Sequence, residues 1–82
     1  MRDKNYPYEN LVSDLTIGHE FEFEYNGNMY SFSNSRKGYH LMKYGDETST
    51  TFQTPQELLS KGRIEGMRIQ KIWADVKNLT IF

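Results

Sequence analysis

The chain has 82 residues and a mass of 9.7 kDa, which suits one small domain and excludes a two-lobed enzyme with a cleft between its lobes. Its 10 Lys and Arg residues nearly balance its 11 Asp and Glu residues, which excludes the basic excess of a nucleic-acid coat protein or a polybasic membrane binder. Cysteine is absent, so disulfides and cysteine zinc sites are excluded too. The aromatic content of 15% favours a folded domain, because each ring can bury a large apolar area.

From the sequence we expect neither a membrane span nor an export signal. No stretch approaches the ~18 consecutive apolar residues of a membrane span, and the polar residues 1–5 are not followed by an apolar run. We therefore expect a cytoplasmic protein that does not bind a membrane. Residues 1–82 are predicted to form a single α+β domain, with residues 1–8 as a loosely held terminus.

The first half of the chain predicts a short helix and then a hairpin. Apolar residues recur at helical spacing within residues 9–15. Residues 20–25 alternate strictly between glutamate and aromatic residues, as in a half-buried strand, and Asn26-Gly27 suits a type I′ turn. The resulting hairpin over residues 20–33 pairs Phe21 with Phe32 and Phe23 with Tyr30. One face is then aromatic and the other acidic and hydroxylated.

Two further strands follow. Residues 39–44 read as a third strand whose inner face is ambiguous, because a slip of one residue exchanges Tyr39 and Leu41 for His40, Met42 and Tyr44. Residues 48–53 are rich in threonine and predict a short fourth strand with Phe52 pointing inward.

The last third predicts two helices and a strand. Thr54-Pro55-Gln56-Glu57 is a capping box, in which the Glu57 carboxylate reaches back to the Thr54 N–H, and the helix that follows should stop at Gly62. A second helix is expected over residues 65–76, where one apolar stripe includes Trp73. Residues 79–82 should form a docked last strand with Phe82 closing the core. The predicted fold is a mostly antiparallel sheet of three to five strands with two or three short helices on one face.

The acidic row (Glu20, Glu22 and Glu24) shares one strand face at intervals of roughly 7 Å. Three interpretations are open: a solvated sheet face, a ridge that imitates a phosphate backbone and engages a basic partner, or paired carboxylates for acid–base catalysis. The uneven distribution of charge along the chain is consistent with a ridge that engages a basic partner. Residues 1–28 carry two positive and six negative charges, whereas residues 29–82 carry eight positive and five negative.

A second candidate surface is basic and aromatic. Cations and rings alternate along the third strand, as on surfaces that bind single-stranded nucleic acid, where rings stack on bases and cations follow the phosphates. The residues concerned are Arg36, Lys37, Tyr39, Lys43 and Tyr44. The tyrosines could equally belong to the core.

Catalytic and metal-binding signatures are missing from the sequence. His19 and His40 do not form a set of three or four convergent zinc ligands, and no nucleophile motif or phosphate-binding glycine loop is present. We expect a protein that is not an enzyme and needs no cofactor or metal.

Two segments of the chain resemble small uncharacterised proteins of low-GC Gram-positive bacteria and their phages or mobile elements. The first runs from Ile17 through the Asn26-Gly27 turn to Tyr30, and the second from Phe52 to Leu59, continuing at Ile64-Glu65-Gly66 and Ile72-Trp73. These motifs build a fold and supply no catalytic residue. The resemblance implies a small cytoplasmic domain of no assigned activity.

Together these features favour a small non-enzymatic domain that binds a protein partner through the acidic row, as an inhibitor carried by a phage or mobile element would. The alternative is single-stranded nucleic-acid binding through residues 36–44. A homodimer is a further expectation, because a sheet edge or the apolar residues 79–82 could pair with a second copy.

Overall fold

A computed structural model describes residues 6–46 and 48–82 of the chain. Its main feature is a sheet of five strands with short helices against it, and a small two-stranded sheet lies beside the last helix. The elements in chain order are α1 (Tyr8–Thr16), β1 (Phe21–Tyr25), β2 (Asn28–Ser35), β3 (Gly38–Lys43), β4 (Ser49–Phe52), α2 (Pro55–Lys61), β5 (Arg63–Ile64), β6 (Met67–Arg68), α3 (Ile69–Ile72), a 3-10 turn (Trp73–Asp75) and β7 (Lys77–Ile81).

The large sheet has the strand order β4-β3-β2-β1-β7, and every neighbouring pair is antiparallel. Strands β1 to β4 follow one another through short turns, whereas β7 returns from the end of the fold to pair with β1. The predicted α+β class is confirmed, with the number of strands at the upper end of the expected range.

The first hairpin forms in the expected register. Phe21 faces Phe32 and Phe23 faces Tyr30 across the strands. Asn26 and Gly27 have φ angles of 54° and 83°, as a type I′ turn requires. The aromatic face of this hairpin is buried, because alternate residues along both strands point toward the helices.

The structure settles which face of the third strand is buried. Leu41 lies opposite the buried Phe32 and is itself only 8% exposed, whereas His40 lies opposite Ser33 on the other face. Tyr39 packs partly against the core. The pairing with β2 therefore decides a choice that the sequence of β3 alone leaves open.

One hydrophobic core joins the sheet to the helices. It is formed by fifteen buried residues: Leu11, Leu15, Phe21, Phe23, Tyr30, Phe32, Leu41, Phe52, Leu58, Leu59, Ile64, Ile69, Ile72, Trp73 and Val76. The Trp73 ring lies 5.4 Å from the Phe23 ring, edge to face, and its indole N–H donates to the Tyr6 carbonyl at 3.1 Å. Burial of the indole is therefore matched by an acceptor, as buried tryptophan requires.

The prediction of a loosely held terminus over residues 1–8 needs correction for its last residues. Residues 1–5 lie outside the described residues, but Tyr6 and Tyr8 both pack against the core, and α1 begins at Tyr8. The Tyr6 hydroxyl also donates to the Asp14 carboxylate at 2.5 Å. Aromatic burial fixes this segment before the helix starts.

The prediction of a helix over residues 65–76 is wrong for residues 65–68. Glu65 and Gly66 have φ angles of 55° and 80°, which no α-helix contains, and they form the turn between β5 and β6. The helix starts only at Ile69 and passes into the 3-10 turn at Trp73. The expected apolar stripe is nevertheless buried, because this shorter helical segment preserves the spacing of its residues.

Helix α2 forms as expected, with one difference in its cap. The Thr54 hydroxyl accepts from the Glu57 N–H at 3.0 Å, but the Glu57 carboxylate accepts from the N–H of Gln53 rather than that of Thr54. This backbone hydrogen bond lowers the pKa of the Glu57 carboxyl, with the charge of Lys61 adding to the effect. The helix ends at Lys61, immediately before Gly62.

The last strand docks on β1, but it does not close the core at its end. Ile81 is 39% exposed and Phe82 is 61% exposed, so the expected burial of Phe82 is wrong. Its backbone N–H donates to the Glu20 carbonyl at 2.8 Å, which continues the strand pairing without burying the ring. The backbone of Phe82 is therefore paired with the sheet while its side chain stays exposed.

Candidate functional site

The face of the large sheet that points away from the helices is its open face. The strand registers place Glu22, Ser31, Met42 and Ser49 in one row across four strands of this face. Ser33, His40 and Thr51 form the neighbouring row. All core residues lie on the opposite side, and no described helix covers the open face.

Glu22 and Glu24 of the acidic row lie on β1, between β2 and β7, and Glu20 immediately precedes this strand. All three carboxyl side chains are half-buried by their neighbours. Glu22 accepts a hydrogen bond from the Tyr44 hydroxyl, and Glu24 accepts from the Asn78 side-chain N–H at 2.7 Å. In the part of the chain that the structure describes, the single ion pair joins Lys61 and Glu57, so no carboxylate of the row forms an ion pair, although Lys77 of β7 lies opposite Glu24 in the sheet.

Tyr44 connects two strands across the open face. It follows β3, yet its hydroxyl reaches Glu22 on β1, so its ring must cross β2. The ring is 45% exposed. The hydrogen bond to Glu22 raises the pKa of the Tyr44 hydroxyl, and partial burial and the negative charge of Glu22 act in the same direction. The acidic row is therefore flanked by an exposed aromatic side chain.

His40 is held between two hydroxyl groups on the open face. Its Nε2 lies 2.7 Å from the Ser35 Oγ, and its Nδ1 lies 2.9 Å from the Thr51 Oγ1. The Nδ1 of His19 contacts the Phe82 carbonyl at 2.8 Å. Among the described residues, neither ring hydrogen-bonds to an Asp or Glu side chain. The described residues also contain no group of three or more acidic or histidine side chains that could hold a metal ion.

The basic and aromatic residues expected on one surface are placed in different parts of the molecule. Arg36 and Lys37 are exposed in the turn that begins β3, whereas Lys43 and Tyr44 lie at its other end, roughly 20 Å away at the usual rise per residue. Tyr39 lies between them and packs on the core side. The five residues do not form one continuous surface.

A site that the sequence analysis missed surrounds Glu65. Its carboxylate accepts hydrogen bonds from the side chains of Asn26 at 2.9 Å, Asn28 at 3.3 Å and Tyr30 at 3.0 Å. The hydrogen bonds from Asn26 and Tyr30 lower the pKa of the Glu65 carboxyl, and Lys43 adds to the effect. Burial and the bond to Glu65 raise the pKa of Tyr30 to about 12. The left-handed turn at Glu65-Gly66 was the local signal that could have revealed this site.

A polar cavity of about 290 Å³ opens beside Glu65. Its floor is formed by buried apolar and aromatic side chains and its walls by charged and hydroxyl groups, among them Lys43, Asp46 and Arg63. Both signs of charge face this cavity, so it lacks the single sign of charge that marks the acidic row.

Within residues 6–46 and 48–82, no helix has the length and apolar character that a membrane span requires. No protein-family model, no curated protein and no solved structure matches the chain.

Proposed function

We propose that this protein is a non-enzymatic binding domain that presents the open face of its sheet to a basic surface of a partner protein. The observation that carries the proposal is the acidic row, with three half-buried carboxylates that form no ion pair with a described residue and with Lys77, opposite Glu24, as the cation of the adjoining strand. Like charges that share an uncovered sheet face repel one another, which destabilises the folded protein. Binding of a basic partner surface would reduce this repulsion.

The surroundings of the row suit a protein surface better than a small ligand. The exposed ring of Tyr44 reaches Glu22, the half-buried Met29 lies opposite Glu24, and the half-buried Met42 lies in the same row as Glu22. Aromatic and methionine side chains are enriched at protein interfaces, where they supply apolar contact around charged groups. Tyr44 can also stack on an incoming arginine while Glu22 accepts its hydrogen bonds.

The setting that we propose is the bacterial cytoplasm, where the protein would act as an inhibitor carried by a phage or mobile element. This part of the proposal is supported by the resemblance of residues 17–30 and of residues 52–59, 64–66 and 72–73 to small proteins of such elements. An acidic ridge with carboxylates at regular intervals could occupy a partner site that otherwise holds a phosphate backbone.

The test replaces all three glutamates of the row by lysine and compares capture of partners from a bacterial lysate with capture by the wild-type protein. The matched control reverses three negative charges elsewhere, by Glu9→Lys, Asp46→Lys and Asp75→Lys, all at exposed positions, so that both variants change the net charge by the same amount. We expect the wild type and the control to retain the same basic protein and the lysine variant to lose it. High salt should release it from both, because the interaction is electrostatic.

Thermal unfolding serves as the second measurement, because the glutamates are only half-buried and lie outside the core. The melting temperature of the lysine variant should stay close to that of the wild type. Unchanged capture by a folded lysine variant, or equal loss by the control, would overturn the proposal.

A further inference from the structure

A groove on the helical side of the molecule, far from the acidic row in the fold, has the features of a small-ligand site. It encloses about 360 Å³ between α1, α2 and β6. Small-molecule sites commonly enclose roughly 300–1,000 Å³ and combine apolar walls with a few polar groups. The lining residues are Tyr8 and Val12 from α1, Gln56, Leu59 and Ser60 from α2, and Arg68 and Gln70 beyond them.

The apolar part of the groove comes from both helices. Val12 packs against the core, and Leu59 is only 7% exposed, so these side chains have fixed positions. The ring of Tyr8 also packs partly against the core. A hydrocarbon group bound here would leave water and contact the side chains of Tyr8, Val12 and Leu59, which would not need to move.

The charged group at the rim is an arginine in an unusual position. Arg68 lies directly opposite Arg63 in the β5–β6 pair, and like charges in this arrangement are destabilising. Arg63 turns away and donates to the carbonyl oxygens of Ser60 and Gly62 at 3.0 and 2.9 Å. The guanidinium of Arg68 has neither a hydrogen bond nor an ion pair with any described residue. An anion in the groove would give the Arg68 guanidinium a partner of opposite charge.

A second polar group in the groove also lacks a partner. The Tyr8 hydroxyl makes no hydrogen bond to a described residue, although the side chain is half-buried. Burial raises the pKa of this hydroxyl, so it stays protonated and can donate. A ligand oxygen in the groove could accept a hydrogen bond from this hydroxyl in place of water.

We propose that this groove binds a small organic carboxylate, with the carboxylate on Arg68 and the Tyr8 hydroxyl and the hydrocarbon part against Val12 and Leu59. Arginine is suited to this role because its planar guanidinium forms two parallel hydrogen bonds to a carboxylate. The occupant is a free acid of aryl or short alkyl type, because the volume of the groove fits a molecule of this size and not a folded segment.

The test is a titration of the whole protein with phenylpropionate, followed by calorimetry and by the backbone amide shifts of α1 and α2. Phenylpropanol, which has the same ring and chain without the charge, is the ligand control. We expect saturable binding of the acid and binding of the alcohol weaker by about tenfold or more, because the charge-assisted hydrogen bonds are lost.

Two variants and one control locate the site. Arg68→Gln should weaken the acid about tenfold, and Tyr8→Phe should weaken it about threefold, whereas Lys71→Gln removes an exposed charge of α3 outside the groove and should change nothing. Equal affinity for acid and alcohol, absence of saturation, or equal effects of Arg68→Gln and Lys71→Gln would overturn the proposal. Much tighter binding of an acetylated peptide that ends in phenylalanine would also overturn it, in favour of a peptide carboxylate.

Discussion

The β1–β2 hairpin turns at Asn26-Gly27 and the β5–β6 hairpin turns at Glu65-Gly66, and φ is positive at all four positions. The strands of the first hairpin have five and eight residues, with aromatic pairs facing one another across them. The strands of the second have two residues each, and its outer pair is Arg63 opposite Arg68. The two turns therefore share a geometry but not a source of stability.

The second hairpin depends on the first. An isolated hairpin with two-residue strands would not be stable in water, and a glutamate in the left-handed region adds strain. Contacts from outside hold it in place: Ile64 is buried in the core, and the Glu65 carboxylate accepts three hydrogen bonds from the first hairpin. A strained turn of this kind is stable only where the surrounding fold determines it.

The largest expected effect comes from a substitution in the core of the β1–β2 hairpin. Phe23 is fully buried, and its ring lies 5.0 Å from that of Phe32 and 5.4 Å from that of Trp73. Phe23→Ala should lower the free energy of unfolding by about 3–5 kcal/mol, because it leaves a cavity at the centre of the aromatic cluster. Urea denaturation followed by tryptophan fluorescence measures the loss. A loss below about 1 kcal/mol would contradict the central position of this ring in the core.

The two turns can be compared directly through their second residues. Gly27 and Gly66 have φ angles of 83° and 80°, and an added Cβ would meet no atom within 4 Å at either site. Gly27→Ala and Gly66→Ala should each cost about 1–2 kcal/mol from backbone strain alone. Thermal denaturation of both variants checks the value. A clearly larger loss for Gly66→Ala would show that the second turn is also the less tolerant one.

The hydrogen bond from Tyr30 to Glu65 tests how the two hairpins are connected. Tyr30→Phe removes one donor to the carboxylate and should cost about 0.5–1.5 kcal/mol. In the background of Glu65→Gln the same substitution should cost clearly less, because the charged acceptor is gone. A double-mutant cycle in urea measures this coupling. If the losses in unfolding free energy are additive, the second hairpin does not depend on this hydrogen bond.

The smallest effect concerns acid pH. Hydrogen bonds to Glu65 lower its pKa in the folded protein, so its contribution to stability is complete above the ordinary glutamate pKa. It is lost as the pH falls through the lower folded value. The difference in stability between wild type and Glu65→Gln should shrink over that range, as measured by urea denaturation at a series of acid pH values. A constant difference would contradict the link to this carboxyl.

What the sequence predicted correctly was local. The register of the first hairpin follows from the alternation of residues 20–25 and the Asn26-Gly27 turn, and the start of α2 follows from Thr54 and Pro55. In these segments a few neighbouring residues carry the whole signal. The acidic row could be placed on one strand face for the same reason.

What the sequence did not predict depends on contacts between distant segments. The buried face of β3 is decided by its pairing with β2, and the turn at Glu65 is decided by side chains of the first hairpin. The hydrogen bond between Tyr44 and Glu22 requires the order of three strands to be known. The groove joins Tyr8 to Arg68 from opposite ends of the chain, and no local pattern marks it.

The position of β7 beside β1 has a consequence for the order of folding during synthesis on the ribosome. Strands β1 to β4 can pair as each one emerges, because each neighbour in the sheet is also the next strand in sequence. The outer backbone edge of β1 acquires its partner only when Lys77–Ile81 has been made. Closing this long loop is the slow, entropically costly step. Until then the nascent chain exposes an aromatic-rich strand that a chaperone or a second nascent chain could bind.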